Sequence, residues 1–307
     1  TTTIAYVVYF INIFLVNIPE SLLRGPPVTS PVGICHCHGA APVNRQDRNF
    51  ETLQQVILDL QQQVPEAQTR AIGQFAEAFL TSAPKSDVVG RPAKDLGGMA
   101  HAQWCLMAER QAGEPTVSIF NPETDRDGWL CPHTTVCMIN DDMPFLVDSA
   151  TAYFADNGLS VHVAMHPVFV VQRSPDGKML DLTTPDGDLA GSRESCILFE
   201  IDRRSSAGER EVLKTGLIEI LKAVRAAVDG WAPTLSRLEV ALADLKLAAD
   251  HLPENEADEA AAFLAWMGDH HFTFLGCREY SVESSADGQL SYHIMPNTGL
   301  GILADPN

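Results

Sequence analysis

Six consecutive residues carry the most promising chemistry in the chain: Asn140, Asp141, Asp142, Met143, Pro144 and Phe145. They join a strand-like apolar run to a helix-like stripe. A helix N-terminus presents backbone N–H groups that can hold a carboxylate, and Asp141 can attract an ammonium. Those are the two charged groups of a free amino acid, so the junction is a candidate effector-binding site. Between Arg126 and Arg173 there is no Lys or Arg, but there are the aspartates Asp127, Asp141, Asp142, Asp148 and Asp156. The plainer alternative stays open: Asp142 caps the helix and Asp141 is solvated.

Other reactive residues make weaker cases. Cys35, His36, Cys37 and His38 are metal-binding types, but neighbours in an extended segment point to opposite faces and cannot readily share a tetrahedral shell. His162 and His166 fall on one face of a predicted strand, about 13 Å apart, too far for one ion. The adjacent pair His270 and His271 meets the opposite-face objection. Cys131 and His133 stand too close in sequence to form a persuasive nucleophile pair. Gly299, Gly301 and Ala304 fit GxGxxA, but a dinucleotide fingerprint must open a helix and needs an acidic residue about 20 positions later. No catalytic, cofactor-binding or metal residue is assigned on these grounds.

The elements that must position the junction come from a chain of 307 residues, a length that suggests two domains at about 150 residues each. Hydrophobic residues make up 45%, enough for a packed core. The 40 acidic and 21 basic residues leave a formal charge of -19, which argues against nucleic-acid and anionic-membrane partners. Seven irregularly spaced cysteines suit reduced thiols in a cytoplasm. The chain starts at Thr1, its first methionine is Met99, and it reads as a fragment. The apolar run over 4–18 is shorter than the about 20 residues of a spanning helix and has no basic flank before it. Residues 1–47 are expected to be a disordered or non-native leader.

Periodicity predicts helices near 53–60 and 72–80, a loop over 84–98 and a helix over 100–112. Strands are expected at 116–120 and 134–140, then a helix from Asp142, with Pro144 in its first turn, to Asn157. A long strand over 160–173, a strand near Met179 and another over 195–202 follow, then a helix over 209–229. This order describes an α+β domain, an antiparallel sheet with helices on one face. Helices at 235–252 and 259–267 and strands at 272–282 and 290–295 begin a second α/β unit. The expected divisions are a helical segment over 48–113, the α+β domain over 114–232, and a linker with the truncated second unit over 233–307.

The segment DDMPFLVDS at 141–149, followed by NGLSVHVAMHPVFVVQR, closely resembles the N-terminal region of the large NAD-specific glutamate dehydrogenases. Residues 110–129, 194–203 and 262–280, with GLGIL at 299–303, are similar to further blocks of that family. The resemblance implies an ACT-like regulatory module, which commonly binds amino acids where its first strand meets its first helix. It also implies the parent reaction, oxidative deamination of L-glutamate to 2-oxoglutarate and ammonia with NAD. NAD is thus the parent's cofactor, none is expected in this fragment, and the catalytic residues lie beyond it. A homo-oligomer formed through the parent chain is expected, with a free amino acid as effector. The alternative is a purely structural oligomerisation scaffold. ACT modules end on a strand after the second helix, whereas here a helix follows, and residues 116–120 are a guess for the missing edge.

Overall fold

The computed structural model describes residues 7–10, 45–252, 256–285 and 288–304. Most of the expected leader, including Cys35, His36, Cys37 and His38, lies outside the described residues. The chain divides into two compact units, one of Pro42–Val224 and one of Thr1–Ala41 with Arg225–Asn307. Strand β1 (Val7–Phe10) belongs to the second.

The first unit opens with α1 (Arg45–Gln61), α2 (Thr69–Ser82), the short turn α3 (Lys85–Val88) and α4 (Ala93–Met107). Helix α4 starts well before the predicted helix. Pro92 stands just ahead of its first turn, where a missing N–H breaks no helical bond. Gly98 answers to packing, because a Cβ there would collide with the Trp129 ring.

Strand β2 (Thr116–Phe120), the turn α5 (Thr124–Asp127) and β3 (Thr134–Asp141) follow, then α6 (Leu146–Asp156). Next come β4 (Val161–Met165), β5 (Val168–Arg173), β6 (Met179–Thr183), β7 (Ser192–Ile201) and α7 (Ala207–Asp229). All pairings are antiparallel, in the order β2-β3-β7-β5-β6, with β4 also on β7. The edge guessed for 116–120 is indeed β2, paired along its length with β3. The long strand expected over 160–173 is broken into β4 and β5. Pro167 supplies no N–H to the ladder, although its carbonyl still accepts from Cys196 at 2.9 Å.

Both faces of the sheet are covered. Cys137, Ile139, Cys196, Leu198 and Phe169 share a core with Phe75, Phe79 and Trp104 of the preceding helices. Phe75 and Phe169 meet across that boundary as tilted rings with centroids 5.3 Å apart. On the opposite face Phe154 of α6 meets Phe199 edge-on at 5.3 Å. Helix α7 lies so close to α6 that a Cβ at Gly216 would strike the Tyr153 hydroxyl. Burial on two faces explains why β3 and β7 read as continuous apolar runs rather than alternating ones. The result is an ACT-like α+β layer: α6 and α7 on one face, the N-terminal helices on the other.

The second unit holds α8 (Trp231–Ala248) and α9 (Glu256–Trp266), with β8 (Gly276–Ser284), β9 (Leu290–Ile294) and β10 (Leu300–Gly301). Leu238, Met267 and Phe274 form its small core. His270 and His271 end a π-helical turn, Met267–His271, ahead of β8. The GxGxxA residues form β10, antiparallel to β8, and then a turn rather than a helix. Among the described residues no helix is long and apolar enough to cross a membrane.

Candidate effector site

Strand alternation sorts the junction residues. Asn140 falls in the register of Val136 and Met138, whereas Asp141 falls in that of Cys137 and Ile139, the face turned to α4. There the Asp141 carboxylate accepts a hydrogen bond from Arg110, which also donates to Glu194 at 2.9 Å. Arg173 holds both oxygens of Glu194, at 2.7 and 2.8 Å. Arg110 and Glu194 are buried and Arg173 nearly so. Two guanidinium groups therefore face two carboxylates in low dielectric, where an unpaired member would be costly. Asp141 belongs to this buried network on the α4 face, which corrects the expectation that it stands at the helix end to draw an ammonium.

Asp142 does not cap the helix either. Its Oδ1 accepts from Ser195 Oγ at 2.9 Å, and its Oδ2 accepts from Arg193 Nε at 3.0 Å. Its N–H donates to the Arg193 carbonyl at 3.0 Å. With that side chain engaged by β7, and with the α-conformation disfavoured for Met143 before Pro144, the chain runs on before coiling. Helix α6 begins at Leu146 with Phe145 at its N-cap position, at φ 71° and with no side-chain capping bond. A positive φ on a bulky residue is strained backbone of the kind that gathers at functional sites.

The buried Asn140 donates through Nδ2 to the Asp141 carbonyl at 3.1 Å, and its Oδ1 has no hydrogen-bond partner among the described residues. His166 Nε2 lies 2.9 Å from Ser195 Oγ, so Asp142, Ser195 and His166 form a chain. In a nucleophilic triad the imidazole stands in the middle, whereas here the serine does. The arrangement braces the junction and does not activate a nucleophile. Burial holds the His166 imidazolium below its ordinary value, although Asp142 partly offsets this.

Three other sequence candidates, Cys131, His133 and His162, gather at the far end of β7. His162 reaches Asp202 at 2.8 Å and stacks on His133 with centroids 4.0 Å apart. His162 lies in β4 and His166 just beyond it, and the two have different partners. Arg91 grips the buried Glu200 with two hydrogen bonds. Cys131 Sγ accepts from the His133 N–H at 3.4 Å, and burial pushes its thiol up to about 11, leaving no thiolate for catalysis.

Sequence patterning does not single out Arg110, Arg173, Arg193, Glu194 and Ser195 around the junction, and it weighs His166 only as a partner of His162. One signal was present: Glu194 and Glu200 share strand parity with Cys196 and Leu198, so acids sit at apolar-face positions of β7.

The profile of the glutamate dehydrogenase ACT1 domain matches residues 75–217, from α2 into α7. The NAD-specific glutamate dehydrogenase of Pseudomonas aeruginosa is 34% identical over 216 residues, covering 70% of this chain and 13% of its own length. That of Halomonas elongata is 30% identical over 264 residues, covering 85% of this chain and 16% of its own. That of Mycobacterium tuberculosis is 26% identical over 211 residues, 67% of this chain and 12% of its own. The chain therefore spans only a small part of the length of these relatives. With the ACT1 match lying over the antiparallel sheet, α6 and the first half of α7, the chain belongs to the NAD-specific glutamate dehydrogenase family through its ACT1 domain.

Proposed function

We propose that this chain is a regulatory, non-catalytic part of an NAD-dependent glutamate dehydrogenase, and that the β3–α6 junction binds a free amino acid as effector. The whole enzyme would oxidise L-glutamate to 2-oxoglutarate and ammonia in the cytoplasm, passing hydride to an NAD held elsewhere in the protein. The observation that carries the effector reading is the buried, unpartnered Asn140 Oδ1 at the end of β3, beside a helix start without a side-chain cap. The first-turn N–H groups of α6 supply donors for a carboxylate, and Asn140 Oδ1 supplies the acceptor for an ammonium. Asp142, fixed by Ser195 and Arg193, holds the turn in place. An effector acts on a distant catalytic core only through different affinities for two states of the enzyme.

Calorimetric titration of the 307-residue chain with glutamate, aspartate and arginine tests this. The expected result is saturable binding that Asn140→Ala weakens and Asp141→Ala, on the opposite face, leaves nearly unchanged. A well-folded chain that binds none of them would favour the second reading, an assembly scaffold. That reading draws on β2 and β6, the end strands of the sheet order among the described residues, whose outer edges could pair between copies into a homo-oligomer.

A further inference from the structure

Every residue of β9 is exposed. Its apolar members, Leu290, Tyr292 and Ile294, are 52%, 51% and 56% exposed. They alternate along the strand and so form one row on one face of the sheet. Among the described residues β9 pairs with β8 alone. The Ser285 N–H donates to the Gln289 carbonyl at 2.9 Å, and the Met295 N–H to the Glu279 carbonyl at 3.0 Å. Odd-numbered residues of β9 therefore bond to β8, and Leu290, Tyr292 and Ile294 turn their N–H and C=O groups to the outer edge. Edge strands are commonly guarded by Lys, Pro or a bulge. Residues 290–294 contain neither Lys nor Pro, and their register with β8 runs without a shift.

We propose that this edge pairs antiparallel with the β9 edge of a second copy, about a two-fold axis at Tyr292. The strand is complementary to itself. Tyr292 meets its own counterpart, Leu290 meets Ile294 and Ser291 meets His293, so apolar groups face apolar groups and no like charges oppose. The outward N–H and C=O groups of Leu290, Tyr292 and Ile294 all find partners in this register. A slip to either side sets Ile294 against Gly288, or Leu290 against Pro296, which has no N–H. Charge selects the same place. Two copies of a chain with formal charge -19 repel each other, but residues 289–296 carry no acid. Glu283, opposite Ser291 on β8, lies 3.8 Å from His293, which offsets it when protonated. The contact is isologous, so it consumes the edge in both copies and closes at a dimer. It depends neither on the effector reading nor on the edges of β2 and β6.

Sedimentation velocity of the 307-residue chain over a range of concentrations tests the pairing. A monomer–dimer equilibrium is expected. Tyr292→Lys sets two ammonium groups against each other on the axis and should weaken dimerisation at least about tenfold. Leu290→Lys and Ile294→Glu should each weaken it as well. Combined in one chain, those two substitutions oppose unlike charges across the axis, and the double variant should dimerise more tightly than either single one. The replaced side chains are half exposed, so each variant should keep the parent melting curve. A monomer at every concentration, a dimer that Tyr292→Lys leaves intact, or a double variant no tighter than its singles would each overturn the pairing. The second of these outcomes would point to the edges of β2 and β6 instead.

Discussion

The two ends of β7 hold a buried carboxylate in different ways. At the end beside the candidate effector junction, Glu194 is gripped by Arg110 and Arg173, both almost wholly buried. At the far end, Glu200 has Arg91, whose side chain is 26% exposed, with the stacked pair His133 and His162 close by. Arg91 and Arg110 flank the same helix, α4, one just before it and one just after. The 15 residues of α4 cover about 22 Å, and the step from Glu194 to Glu200 covers about 20 Å. Midway, Gln103 donates to the carbonyls of Met138 and Ile197, both at 3.1 Å. The helix is thus pinned to the sheet at three points. The pin next to the junction is dry and doubly charged, and the distant one is partly open to water.

Breaking the dry pin should have the largest effect. Glu194→Ala leaves two buried guanidinium groups without their shared acceptor and should cost about 3–5 kcal/mol in urea unfolding. Arg91→Lys at the open pin keeps the charge but loses the forked contact with Glu200. It should cost less, about 1–3 kcal/mol in the same assay. If the two losses come out equal, the contrast between the ends does not hold. Gln103→Met at the central pin should change stability by no more than about 1 kcal/mol. It removes two bonds to carbonyls but also an amide oxygen that has no partner.

The smallest effect is a pH slope. Burial, and then the neighbouring His162, hold the His133 imidazolium below its ordinary 6.5, and burial does the same for His166. The unfolded chain therefore binds protons more readily than the folded one. This contribution is fully present above about pH 6.5 and is lost as pH falls through the folded values. Melting temperature should drop between pH 7 and pH 5. His133→Gln and His166→Gln should each flatten part of that drop and so divide it between the two ends of β7.

Much of the sheet was legible because its signals are local. Residues 116–120 and the body of β3 follow from β-branched runs, and the buried stripe of α7 from helical spacing. Three features were not, each for a tertiary reason. The start of α4 was hidden because Gly98 resembles a loop residue, while its small size is set by Trp129. The start of α6 was placed too early because Asp142 looks like a cap until Ser195 and Arg193 claim it from across the sheet. The part given to Asp141 failed on the same opposite-face rule that counted against the Cys35–His38 cluster, since its strand neighbour Asn140, not Asp141, shares the α6 face. The ion pairs on β7 show locally only as two acids at apolar-face positions, because their partners lie 21 to 109 positions away.

That separation sets a schedule for synthesis. Arg91 and the whole of α4 leave the ribosome long before Glu200 does, 109 residues later. At about 5–20 residues per second the wait is roughly 5–20 s. Until β7 emerges α4 lacks the strand that carries Glu194 and Glu200, so Arg91 has no Glu200 and Arg110 has Asp141 but not Glu194. The helix layer of this unit is made first and fastened last. Nascent chains stalled with Ile201 still inside the exit tunnel should leave α4 open to proteases, and chains stalled after α7 has emerged should protect it.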